Sequence, residues 1–248
     1  MRREQGASAA LGYCVDMVRA IAHERSVGNR IAGAQATAEF DRQYGVETTG
    51  LISMTSMTID SPNYLYATVY KASDPDRFQE MMTRLPIRHQ DYTFVDLGSG
   101  KGLTLLLAST FPFACIRGVE FAQELHQVAQ ANIRSYRNPA QKCRDVESVR
   151  ADATQYEFPE DPLVIYLYHP FEEEVMAKVV DRIELSYRRK PRPILIAYLQ
   201  PALRRLLDVR TFLRPVFERE IDEFDGKTVA GYALFSTREA AEIEVLRG

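Results

Sequence analysis

The chain has 248 residues, a formal net charge of −3 and a sequence pI of about 5.9. It is 46% hydrophobic and 26% charged, enough apolar content for a packed α/β core and too much for a disordered chain. A dedicated nucleic-acid binder would show a domain pI above roughly 9, so the charge balance carries no strong nucleic-acid signal. The cysteines Cys14, Cys115 and Cys143 are odd in number and widely spaced. They fit neither a disulfide framework nor a metal centre, no metal site is expected, and a reducing cytoplasm is the simplest compartment. No apolar run is long enough to span a bilayer, and Asp16 and Arg19 interrupt any signal-peptide core.

Taken in order, residues 8 to 25 read as an amphipathic helix and Arg30 to Asp41 as a second. Phe40 to Gly50 is polar and glycine-punctuated and carries Tyr44; it reads as a surface loop or as a lid over an active site. Tyr64, Tyr66 and Tyr70 follow shortly before the core and read as packing residues with hydroxyls reaching water. Asp74 and Pro75 suit the N-cap and first position of a helix whose Phe78, Met81, Met82 and Leu85 share a face, with Pro86 ending it.

From Tyr92, strands and helices alternate. Strands are expected at Tyr92–Leu97, Cys115–Glu120, Val146–Ala151, Leu163–Tyr168 and Pro193–Leu199. Helices are expected over Gly102–Thr110, Ala122–Tyr136 and Glu172–Tyr187, with a short one near Ala202–Val209. Val216–Glu223 and Val229–Ser236 are separated only by a link containing Gly226, which calls for antiparallel pairing. The fold class is α/β: five parallel strands plus a C-terminal antiparallel hairpin, helices on both faces, and a helical N-terminal extension. Residues 1–90 are expected as a helical cap or lid and 91–248 as the ligand-binding domain. Cys115, in a strand, is expected as a small buried hydrophobe.

The first strand runs into Asp96-Leu97-Gly98-Ser99-Gly100-Lys101-Gly102 and then into an apolar helix. Strand, glycine turn and helix bring bare backbone close to a ligand and aim helix N–H groups at it. The dinucleotide fingerprint G-x-G-x-x-G fails, because Leu103 stands at its last position. The P-loop pattern fails too, since Gly102 follows Lys101 and Val95 lies five before Gly100. What remains resembles motif I of the class I (Rossmann-like) S-adenosylmethionine-dependent methyltransferases, and the order of strands and helices is that family's topology.

In open α/β sheets the ligand lies beyond the carboxyl ends of the strands, at the switch point next to the first. The resemblance then implies S-adenosyl-L-methionine as cofactor. Asp96, Leu97, Gly98, Ser99, Gly100 and Gly102 would face its amino-acid portion, with Asp96 orienting the turn or, through water, the ammonium. Glu120 would accept the ribose hydroxyls, Phe121 would lie on the adenine, and Asp152 with Ala153 would read the adenine amino group. The end of the fourth strand, Tyr168-His169-Pro170-Phe171, resembles motif IV of the amino-group methyltransferases, with His169 where an asparagine or aspartate would stand. A histidine can take the nucleophile's proton near neutral pH, or simply cap the strand. Tyr168 and His169 are expected to line the acceptor pocket, with Tyr168 also against the cofactor and Tyr44 or Tyr66 above.

The basic run Arg188-Arg189-Lys190-Pro191-Arg192 reads as a solvated helix end or as a surface for an acidic partner. Motif I also looks like that of the non-SET lysine methyltransferases, histone and archaeal types included. An N or O nucleophile of a protein lysine or of a small molecule is therefore the expected acceptor. A non-catalytic protein that keeps the fold and binds a partner is the alternative.

Overall fold

The computed structural model describes residues 27–49, 73–168, 171–224 and 227–237. The expected helix over 8 to 25, Tyr64, Tyr66, Tyr70, Cys14, His169 and Pro170 lie outside the described residues.

Among the described residues, seven strands form one sheet: β1 (Thr93–Leu97), β2 (Cys115–Glu120), β3 (Val146–Arg150), β4 (Leu163–Tyr168), β5 (Ile194–Leu199), β6 (Leu213–Phe224) and β7 (Lys227–Thr237). Their spatial order is β3-β2-β1-β4-β5-β7-β6, so the chain reverses its direction of growth beside β1. The first five pair in parallel; β7 is antiparallel to both β5 and β6. The Rossmann-like fold expected from the element order is the one found. Pro215, which cannot donate to a ladder, is placed on β6 at the sheet edge.

The helices are α1 (Val27–Tyr44), α2 (Pro75–Thr83), α3 (Leu103–Ala108), α4 (Gln123–Ser135), α5 (Glu173–Arg189) and α6 (Arg205–Asp208). Alternation along the central strands feeds two cores. Phe94, Val164, Tyr166 and Leu195 point to one face, where Phe78, Met81, Met82 and Leu105 cover them. Val95, Ile165, Leu167 and Ile196 point to the other, under Val175, Met176, Val179 and Ile183 of α5. Asp74 caps α2 by accepting from the amides of Asp76 and Arg77, with Pro75 at the first position.

Two expectations need correction. The first part of the segment expected as a loop is helical: α1 continues through Tyr44 and stops at Gly45, whose φ of +65° lets its amide bond back to the Asp41 carbonyl at 2.9 Å, and only residues 45–49 leave the helix. Cys115 is only half-buried and lies 3.2 Å from the Thr93 hydroxyl.

Three of the four cations of the basic run, Arg188, Lys190 and Arg192, have partners within the chain. Arg188 pairs with Glu184 at 2.6 Å and Lys190 with Glu160 at 2.9 Å. Arg192 is 5% exposed, and its guanidinium donates to the carbonyls of Asp161, Ser186, Lys190 and Pro159 and to the Ser186 hydroxyl. It staples the loop before β4 and the end of α5 to the start of β5. Arg192→Ala leaves those carbonyls in a buried site without their donor. Loss of about 3 kcal/mol in unfolding free energy is expected by urea titration, and a loss below about 1 kcal/mol would show the staple to be dispensable.

Candidate functional site: a glycine turn and two buried carboxylates

The site is built at the carboxyl ends of β1, β2 and β3. After Leu97 the chain must turn sharply to start α3, and Gly98, Gly100 and Gly102 have φ of 86°, 53° and 84°, conformations that cost an L side chain energy. The amides of Gly98 and Ser99 both donate to the Val119 carbonyl, at 2.9 and 3.1 Å, which seats the turn on β2. Gly102 serves as N-cap of α3, and a Cβ added there would lie 3.2 Å from the Ala129 Cβ of α4.

A further glycine, absent from the expected site, controls the seat. Gly118 in the middle of β2 would place a Cβ 2.6 Å from a Leu105 methyl and 2.7 Å from the Ser99 hydroxyl oxygen. Its bare backbone lets the turn and α3 press onto the sheet. The signal was in the sequence: a lone glycine inside a strand marks a close approach.

Glu120, at the end of β2, is 4% exposed. One carboxylate oxygen accepts the Gly100 amide at 2.9 Å and the other the Ala122 amide at 2.8 Å. Asp96 is 3% exposed and accepts a hydrogen bond from the Thr104 hydroxyl of α3. Of its two expected roles, orienting the turn is the one these contacts match. Burial pushes both carboxyls up to about 7; the Thr104 hydroxyl opposes this at Asp96, and the amides of Ala122, Gly100 and Phe121 oppose it at Glu120. The charge of Glu120 raises Asp96 further.

On the adenine side of the expected cleft, Phe121 is half-buried and Ala153 is buried. One oxygen of Asp152 accepts from the amide and hydroxyl of Thr154, at 2.8 and 2.7 Å. Leu97 is wholly buried beneath the turn. Tyr168 is half-buried at the end of β4, opposite Leu199 in the register. One step on, Gln200 has φ of +51°, unusual for a residue with a side chain, at the carboxyl edge of β5. Tyr44 is not displayed on a loop: its ring packs against Phe40 at 4.8 Å and Tyr136 at 5.1 Å, and its hydroxyl accepts from the Gln43 amide. Among the described residues no group of side chains could hold a metal ion, and no helix is long and apolar enough to cross a membrane.

The family model described as "Histone methylation protein DOT1" matches residues 52–158, the stretch that holds β1, the glycine turn, β2 and β3. No curated protein matches the chain in sequence. Among solved structures, TrmN from Thermus thermophilus aligns with a TM-score of 0.50 at 17% identity, over 66% of this chain and 49% of that one. The 23S rRNA methyltransferase ErmE aligns with a TM-score of 0.50 at 14% identity, over 68% of this chain and 70% of that one. The chain shares the Rossmann-like fold of these two proteins. The cofactor that the sequence resemblance implies is S-adenosylmethionine. The chain spans about half the length of the Thermus protein, so the likeness to it concerns the shared fold.

The site suits such a cofactor on its own evidence. The turn presents backbone without side chains, and the buried Ser99 hydroxyl oxygen has no hydrogen-bond partner. The two Glu120 oxygens accept the Gly100 and Ala122 amides, and each carboxylate oxygen has two lone pairs with which to meet a ligand hydroxyl as well.

The raised carboxyls set a pH dependence. Unfolded, these groups titrate near 4, so between about pH 4 and about pH 7 the folded protein holds more protons than the unfolded one. Stability of the ligand-free protein therefore falls as pH rises through that window, by about 1.4 kcal/mol per pH unit for each group while it remains protonated only in the folded state. Denaturant titrations at pH 5, 6 and 7 check this; a contribution that rises with pH and vanishes in Glu120→Gln would contradict it. Gly118→Ala should lower the melting temperature by several degrees and displace the turn, read as weakened S-adenosylhomocysteine binding of the folded fraction, about tenfold by calorimetry.

Proposed function

We propose that the protein transfers a methyl group from S-adenosylmethionine to the side-chain nitrogen of a lysine in a protein acceptor. The observation that carries this reading is the match of residues 52–158 to the histone-methylation family on the very elements that build the glycine turn and the buried carboxylates. The internal pairing of Arg188, Lys190 and Arg192 and the net charge of −3 favour a protein over an RNA acceptor.

Asp96 to Gly102 would hold the amino-acid portion of the cofactor, Glu120 the ribose, and Phe121, Asp152 and Ala153 the adenine. When bound, the cofactor supplies a methyl group on a positively charged sulfur. The chain's own work is positioning and electrostatics: it holds the acceptor nitrogen in line with the methyl carbon and keeps water out. Ionised Asp96 and Glu120 add negative charge near the bound cation, so cofactor affinity should rise as pH passes through about 7. A lysine must shed its proton before it attacks, and a base contributes about 10² to 10⁴ in rate. His169, which follows Tyr168 in sequence, is our candidate for that base, and Tyr66 or Tyr44 of the N-terminal segment would contribute to a cover over the acceptor.

The test begins with S-adenosylhomocysteine binding by calorimetry, where Glu120→Ala should weaken affinity at least about tenfold. Radiolabelled S-adenosylmethionine is then offered with core histones, lysine-bearing peptides, RNA and a metabolite extract. Label on the lysine side-chain nitrogen, reduced about 10²-fold or more in His169→Ala, is expected. Label confined to RNA or small molecules, or none with binding intact, would sink the lysine reading. The last result would favour a cofactor-binding protein without catalysis.

A further inference from the structure

Lys101 stands between Gly100 and Gly102 in the turn, yet its ammonium is not turned to solvent. The side chain is 3% exposed and donates to the Glu47 carboxylate at 2.8 Å and to the Thr49 carbonyl at 2.6 Å, more than fifty positions earlier in the chain. The segment it grips, residues 45–49, is the strap that leaves α1 at Gly45. Asp41 holds the strap from behind, accepting the amides and hydroxyls of both Thr48 and Thr49 at 2.6 to 2.9 Å. Asn132 of α4 holds it from the side: its carbonyl oxygen accepts the Glu47 amide at 2.8 Å, and its NH₂ donates to the carbonyls of Glu47 and Lys101, each at 2.9 Å. Strap, turn and α4 thus meet at the main chain of Lys101 and at its ammonium.

Folding alone does not call for this ion pair. A buried ammonium loses its hydration, and an apolar side chain of the same volume would serve stability as well or better. The Glu47 side chain is 70% exposed, so the pair gives up that hydration for a partner that is itself in water. What the arrangement does supply is register: the strap can sit on the cofactor turn in one place only.

We propose that Lys101 is a positioning residue that couples the strap at 45–49 to the cofactor-binding turn, so that cofactor binding and strap closure stabilise each other. This rests on the methyltransferase reading above. The coupling is reciprocal: a ligand that fixes the turn fixes the strap, and a strap held in place lowers the ordering cost of binding.

Hydrogen exchange read over residues 41–49, with and without S-adenosylhomocysteine, tests the link, alongside calorimetry with the same ligand. In the wild type the ligand should slow exchange of the Thr48 and Thr49 amides about tenfold. Lys101→Met should quicken that exchange about tenfold in the free protein, leave β4 and β5 unchanged, and weaken the ligand about fivefold. Lys101→Arg, which keeps the charge, should bind within about threefold of wild type. If Lys101 variants do not fold, Glu47→Gln reads the same link from its exposed side and should shift strap exchange in the same direction. Unchanged strap exchange in both Lys101→Met and Glu47→Gln would overturn the inference. So would faster exchange spread evenly through the sheet, or equal losses of affinity in folded Lys101→Met and Lys101→Arg. Failure of the wild type to bind S-adenosylhomocysteine would instead defeat the proposed function, while the exchange rates of the free protein still decide whether Lys101 holds the strap.

Discussion

The carboxylate of Glu120 is the contact on which the rest of the site depends. It sits at the end of β2, out of water, with one oxygen on the Gly100 amide and the other on the Ala122 amide. Through those bonds a single side chain fixes the spacing between the turn that follows β1 and the turn that opens α4. Two backbone donors aimed at a buried acid would be costly to orphan, so the two turns move together or not at all. The same burial that gives the bonds their strength also raises the acid to about 7, and the carboxylate therefore gains most from a cationic ligand.

That spacing is possible only because the neighbouring layers are bare. Gly118 gives Ser99 and Leu105 their place over β2, and Gly102 gives Ala129 its place beside α3. The glycines are usually thought of as making room for the ligand. Here at least two of them make room for the protein, and the ligand's room is what the close packing of turn, α3 and α4 leaves beyond the strand ends. Function and packing are for this reason hard to separate by substitution at the glycines, and easier to separate at Lys101 and Glu120, whose side chains form specific polar links.

The middle of the sheet was legible because β4 and β5 are short apolar runs; β2 and β4 begin and end at the expected residues. The cofactor side was legible because Asp96 and Glu120 end consecutive strands and the glycines follow at alternate positions. The run after Phe40 misled, because its polar residues suggest a loop while the helical stop is Gly45, five residues on. Contacts between distant segments were not legible at all. Nothing local shows that Lys101 will find Glu47, that Asn132 will bridge both, or that Arg192 will turn inward to carbonyls of the loop before β4 and the end of α5 rather than outward as part of a basic patch. Periodicity reports which face a residue occupies and says nothing of which partner waits there.

The two ends of the sheet differ in how completely their polar groups are satisfied. At the amino end, Arg192 fills four carbonyls, the Thr237 hydroxyl bridges the Ile194 amide and the Arg192 carbonyl, and the Thr93 amide reaches Pro162. At the carboxyl end, two acids are held near neutrality, the buried Ser99 hydroxyl oxygen has no partner, and Gln200 keeps a backbone conformation that L residues avoid. A fold that closes its polar accounts at one edge has the means to close them at the other. Unsatisfied hydrogen-bonding capacity and backbone strain concentrated where three strands end are what a protein retains when something else is to complete the set. The hydroxyls, ammonium and sulfonium of an S-adenosyl group are of the kind that would do so, since they bring donors and positive charge to an edge whose buried side chains offer acceptors.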